Sequence, residues 1–89
     1  MFEIKLDKQP EHFLSKCENR LFDRISEKLE TLKNNPVPHD AKRVLGYELP
    51  TFRIRIGKYR ALYRLNYEEK IIIVVKIDKR DKVYDWFFN

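Results

Sequence analysis

The residues best suited to chemistry are arginines at alternating positions: Arg53 and Arg55, followed by Arg60 and Arg64. A guanidinium is planar, stays charged at any usable pH and presents paired N–H donors that match two oxygens of a phosphate. Several of them on one surface suit a polyanion, because each contact strengthens as phosphorus gains negative charge during a displacement. RNA carries its own nucleophile, a 2′-hydroxyl beside the phosphate. A protein need only align it, stabilise the dianionic phosphorane and protonate the leaving oxygen. Other reactive side chains are less well placed. His12 lies in an early helical run, His39 lies in a long connection, and the single cysteine, Cys17, sits on an apolar stripe as a small packing residue. No Asp, Glu, His or Cys cluster has the spacing of metal ligands, so neither a metal nor another cofactor is expected.

The elements that must hold these arginines follow from period. Phe52, Ile54 and Ile56 alternate with Arg53 and Arg55; beyond Gly57 and Lys58, Tyr59, Ala61, Tyr63 and Leu65 alternate with Arg60, Leu62, Arg64 and Asn66. This predicts a β-hairpin whose arginines share the face opposite the apolar set, with Tyr59 and Tyr63 in the core and Lys58 and Arg64 as ordinary surface charge. After a turn at Glu68 and Glu69, the apolar run from Ile71 to Ile77 predicts a central strand covered on both faces. Upstream, Phe2, Ile4 and Leu6 alternate with charged residues and predict an N-terminal strand. Pro10 suits a first helical turn, and Phe13, Leu14, Cys17 and Leu21 recur at helical spacing. Leu21, Phe22, Ile25, Leu29 and Leu32 then line a second stripe, which Asn34, Asn35 and Pro36 end. These runs are either one bent helix or a helical hairpin breaking near Asn19. Val37 to Pro50 has no period and reads as one long connection. The expected architecture is α+β, one domain over residues 1–89. Two N-terminal helices pack on a mostly antiparallel four-stranded sheet in the order β-α-α-β-β-β, and a short aromatic tail, VYDWFF, docks as a short helix or strand.

Composition narrows the partners. The 89 residues carry a net charge of +5, but the first 35 hold seven basic and seven acidic side chains, so all the excess lies downstream. Between Lys42 and Arg64 seven Lys or Arg face one acid, Glu48. Such a stretch makes a local positive field that attracts phosphate backbones, anionic membranes or an acidic protein. One cysteine permits no internal disulfide, the N-terminus lacks the apolar run of a signal peptide, and Ile71 to Val75 is too short to span a bilayer. A soluble, cytoplasmic protein without a membrane partner is expected.

Taken together, LGYELPTFRIRIGKYRALYRL, the apolar strand after it and the closing KRDKVY resemble the RelE toxins of the RelE/ParE superfamily over nearly the whole chain. The most specific piece is the hairpin from Phe52 to Tyr63 preceded by Leu45 and Gly46; the second is Arg80, four residues before Tyr84. The resemblance implies the toxin of a type II toxin–antitoxin pair, held by a RelB-like antitoxin in a hetero-oligomer. It also implies cleavage of messenger RNA in the ribosomal A site without a metal. By position, Arg53 and Arg55 would contact the scissile phosphate and Arg60 would steady the transition state. Arg80 would donate a proton or stabilise charge, and Tyr84, unless it is core, would stack on or orient the nucleotide. Lys79 would assist RNA binding where several relatives carry histidine. Relatives can have lysine at the positions of Arg53 and Arg55, one of them proposed as general base, and arginine cannot lose its proton. Two other readings belong to the same superfamily: a ParE-like toxin directed at DNA gyrase, and an inactive antitoxin-binding module.

Overall fold

Alternation at the N-terminus produces β1 (Glu3–Leu6), and the helical stripes produce α1 (Lys8–Lys16) and α2 (Asn19–Leu32). Then come β2 (Lys42–Val44), β3 (Thr51–Ile56), β4 (Tyr59–Asn66) and β5 (Ile71–Lys79). The computed structural model describes residues 1–79, so the readings on Arg80, Tyr84 and the aromatic tail fall outside the described residues. Between the helices, Cys17 and Glu18 turn to extended backbone with ψ of 160° and 157°, which makes the pair a hairpin rather than one bent helix.

The strands form one five-stranded mixed sheet in the order β1-β5-β4-β3-β2. The sheet is mostly antiparallel as expected, but it has five strands rather than four, and two features account for the difference in detail. First, β2 forms inside the stretch read as a plain connection and pairs antiparallel with β3, Lys42 opposite Arg53. Second, β1 runs parallel to β5, Glu3 opposite Ile71. The helices explain both, for they carry the chain across one face of the sheet, from the β1 edge to the β2 edge. Their buried residues Ile25, Leu29 and Leu32, spaced by four and three, meet Phe52, Ile54, Ile56, Tyr63, Leu65, Ile72, Val74 and Ile77 in the core. Phe22, expected on the same stripe, is 43% exposed.

β5 is interior, with β4 in the middle of the sheet, and it is not covered evenly on both faces. Its register against β4 slips between Leu62 and Tyr63: Tyr63 faces Val74 while Leu62 faces Lys76, leaving Val75 as an extra residue. This β-bulge changes the phase of the strand. Val74 and Ile77 both reach the core, and Lys76 and Asp78 turn to the opposite face. Since β1 stops opposite Val74, the outer edge of β5 is bare beyond the bulge. The Gln9 amide fills that gap, donating from Nε2 to the Ile77 carbonyl at 2.7 Å and accepting the Ile77 N–H at 2.8 Å.

Candidate functional site

The hairpin that carries the arginines forms as expected, with Gly57 at φ +60° in the first of two turn positions, where a residue with a side chain would be strained. Its register places Arg55 directly opposite Arg60, and Arg53 opposite Leu62. On the outer side of this ladder Lys42 of β2 stands opposite Arg53, and on the inner side Asp78 of β5 stands opposite Arg60. Arg53, Arg55 and Arg60 therefore share the face away from the helices.

Because β2 has three residues and β3 six, β2 stops beside Arg53 and leaves a notch of about 450 Å³ at the sheet edge. Lys42, Arg53, Arg55 and Arg60 line it, with Gly57 at one end. Asp40 is its acidic wall, but that charge is engaged by α2: Lys28 Nζ donates to Asp40 Oδ2 at 2.8 Å. This hydrogen bond is the main cause holding the Asp40 carboxyl below its ordinary value near 3.8. Arg55 is aimed by a bond from its Nε–H to the Gly57 carbonyl at 3.2 Å. Four cations around one concavity can attract an anion such as a phosphate group, whose oxygens match guanidinium donors.

Lys42 was missed as a site residue because only strand register brings it beside Arg53. Its sole signal in the sequence is membership of the basic stretch. Lys79, by contrast, lies opposite Tyr59 at the end of β5, in phase with buried Ile77 and hence on the helix-facing side, away from Arg53 and Arg55. Arg64 also departs from ordinary surface charge: its guanidinium lies 4.7 Å from the Tyr47 ring centroid and its Nε is buried without a hydrogen-bond partner. Nor is the arginine face uniformly solvated, since Thr51 and Leu62 on it are fully buried. Tyr63 is core as expected, and its hydroxyl donates to the Pro36 carbonyl at 2.7 Å. Tyr59 is half-buried against Phe13, His12 and His39 are exposed, and Cys17 is half-buried, its thiol near the Leu14 carbonyl. No helix among the described residues is long and apolar enough to cross a membrane.

Comparison with known proteins agrees with this fold. The family model described as the ParE toxin of the type II toxin–antitoxin system parDE matches residues 4–84. A protein named as toxin RelE1 in Methanocaldococcus jannaschii is 41% identical over 64 residues, covering 68% of this chain and 70% of that one. Among solved structures, a chain of the archaeal RelE–RelB complex from Pyrococcus horikoshii superposes with a TM-score of 0.79 at 29% identity, covering 89% of this chain and 94% of that one. A chain of the RelBE2 toxin–antitoxin complex from Mycobacterium tuberculosis does so with a TM-score of 0.71 at 27% identity, covering 89% and 98%. With a family model spanning all but the chain's ends and a relative at this level of identity, the chain belongs to the RelE/ParE superfamily of type II toxin–antitoxin toxins.

Proposed function

We propose that this toxin is a ribosome-dependent endoribonuclease that cleaves messenger RNA by attack of the 2′-hydroxyl on its own phosphate. The observation that carries the reading is the edge notch, where Lys42, Arg53, Arg55 and Arg60 surround a space open to a phosphodiester. In this reading Lys42, Arg53 and Arg55 hold the scissile phosphate, and Arg60 stabilises the phosphorane. Arg80 and Tyr84 protonate the leaving oxygen and orient the nucleotide, as the resemblance implies. Guanidiniums supply charge but no base, so alignment of the hydroxyl falls to the ribosome, which fits a substrate presented in the A site. The toxin works in the cytoplasm and is silenced by a RelB-like antitoxin, the kind of partner named with its solved relatives.

The test is primer extension on messenger from a cell-free translation extract supplied with the purified toxin. Wild-type protein should produce discrete cuts, and Arg60→Ala should lower single-turnover cleavage roughly a hundredfold, as for a lost oxyanion donor. A loss below about threefold would remove Arg60 from the mechanism. The second reading, a gyrase-directed toxin, is favoured by the ParE description of the matching family model. Loss of DNA supercoiling with intact messenger would establish it in place of the first.

A further inference from the structure

A second, larger concavity of about 610 Å³ opens where the α1–α2 junction meets the β3–β4 turn. Lys16, Arg20, Arg24 and Lys58 stand around it, all exposed, with Glu18 as the acidic lining residue. Neither of the two ion pairs among the described residues, Lys28–Asp40 and Lys33–Glu30, involves these cations. The wall is aromatic, since Phe13 and Tyr59 meet edge to face with centroids 5.6 Å apart.

This concavity is continuous with the notch, because Arg55 and Gly57 line both. Gly57 is the meeting point of two guanidiniums. Arg55 Nε binds its carbonyl at 3.2 Å, and a Cβ built on it would lie 2.9 Å from Arg24 Nη2. Absence of a side chain thus lets an arginine of α2 rest against the hairpin turn beside an arginine of β3. Two cations converging on one backbone site without a carboxylate between them repel each other, and a bridging anion reverses that sign.

Building on the endoribonuclease reading, we propose that this concavity is a second nucleic-acid subsite. It takes a nucleotide that flanks the scissile one: Arg24 and Arg55 share the intervening phosphate, Arg20 and Lys16 hold the next, and the Phe13–Tyr59 wall receives a base. A single-stranded RNA is favoured over an acidic peptide because the cations of this concavity continue those of the notch through Arg55, which lines both, and because apolar aromatic surface beside phosphate-matching donors is how unpaired strands are held.

The experiment is fluorescence anisotropy of the full chain with labelled single-stranded RNA carrying 2′-O-methyl groups, which cannot be cut. Two lengths are compared, a dinucleotide with a single phosphodiester and a strand of about twelve nucleotides. Arg24→Gln and Arg20→Gln should each weaken the long strand about tenfold, leave the short strand unchanged, and lower the dependence of log K on log salt by about 0.7 per lost phosphate contact. Arg53→Gln should weaken both lengths. If Arg53→Gln weakens binding while Arg24→Gln and Arg20→Gln bind the long strand as wild type does, the second subsite is wrong and the endoribonuclease reading stands. If none of the three variants alters RNA binding, both fall. If a glutamate-rich peptide of equal charge displaces the long strand with equal affinity and the same need for Arg24, the site is a protein-docking surface and the nucleic-acid assignment is overturned. Melting temperatures equal to wild type confirm that each Arg→Gln change acts on binding alone.

Discussion

Tyr63→Phe removes one oxygen from the core and should reveal how the segment leading to the site is anchored. The tyrosine is fully buried, its ring stacks on Phe52 with centroids 5.9 Å apart, and its hydroxyl donates to the Pro36 carbonyl at 2.7 Å. That bond ties β4 to the segment between α2 and β2, which carries Asp40 and then Lys42. Phenylalanine keeps the ring and the burial and leaves the carbonyl without its donor, a loss of about 1–2 kcal/mol near neutral pH. For a chain of this size the melting temperature should fall by roughly 4–8 °C per kcal/mol. The same hydroxyl also makes the wild type alkali-sensitive. Burial is the chief cause that pushes its pKa above the ordinary 10.0, so the folded state keeps a proton that the unfolded chain loses. A raised folded pKa contributes stability that is complete below 10.0 and lost as pH climbs toward the folded value. Within that window the wild type loses about 1.4 kcal/mol per pH unit that the variant does not, since their other titrating groups are the same. The wild-type lead should therefore vanish about one unit above the ordinary value and reverse beyond it. Urea denaturation of both proteins across alkaline pH measures the difference directly. Parallel stability curves, or an unchanged melt at neutral pH, would refute the buried donor and the anchor with it.

Gln9→Leu should cost about 1–3 kcal/mol, because the Ile77 N–H and carbonyl both lose the amide that stands in for a strand beyond the end of β1. Hydrogen exchange should show the Ile77 amide losing its protection, and a variant with an intact melt and a protected Ile77 would contradict this role. Lys70→Gly should act in the opposite direction. Lys70 holds φ +56° in the turn before β5, so relief of a left-handed side chain should raise stability by about 0.5–1 kcal/mol after the glycine's own entropy is counted. A lower midpoint in urea would mean that Lys70 makes compensating contacts.

How far the sequence specifies this arrangement depends on the range of the interactions involved. The β3–β4 hairpin was legible because its information is local: alternation on both strands and a glycine where the turn needs positive φ. The helices were legible as stripes, and the break at Cys17 was one of the two alternatives the spacing left open. β2 was not legible, for three residues between prolines and a glycine show no period, and pairing with β3 is what makes them a strand. The parallel partner of β1 was hidden for the same reason, since the two strands lie far apart along the chain. Within β5 an apolar run looks the same in either phase, so the bulge at Val75, which sends Ile77 inward and Asp78 toward Arg60, leaves no trace in composition. The candidate site divides along the same line. Charge on Arg53, Arg55 and Arg60, and their common face, follow from alternation alone. Their neighbours follow from register: Lys42 joins through an unforeseen strand, and Arg24 reaches Gly57 through a helix packed across the sheet. A local sequence pattern can therefore locate the cations of a candidate site before it can say which acids face them. Here such pairings shape the field, because Asp40 at the notch is engaged by Lys28 from the helix layer and Asp78 of β5 stands opposite Arg60, and neither pairing shows in the spacing of the arginines.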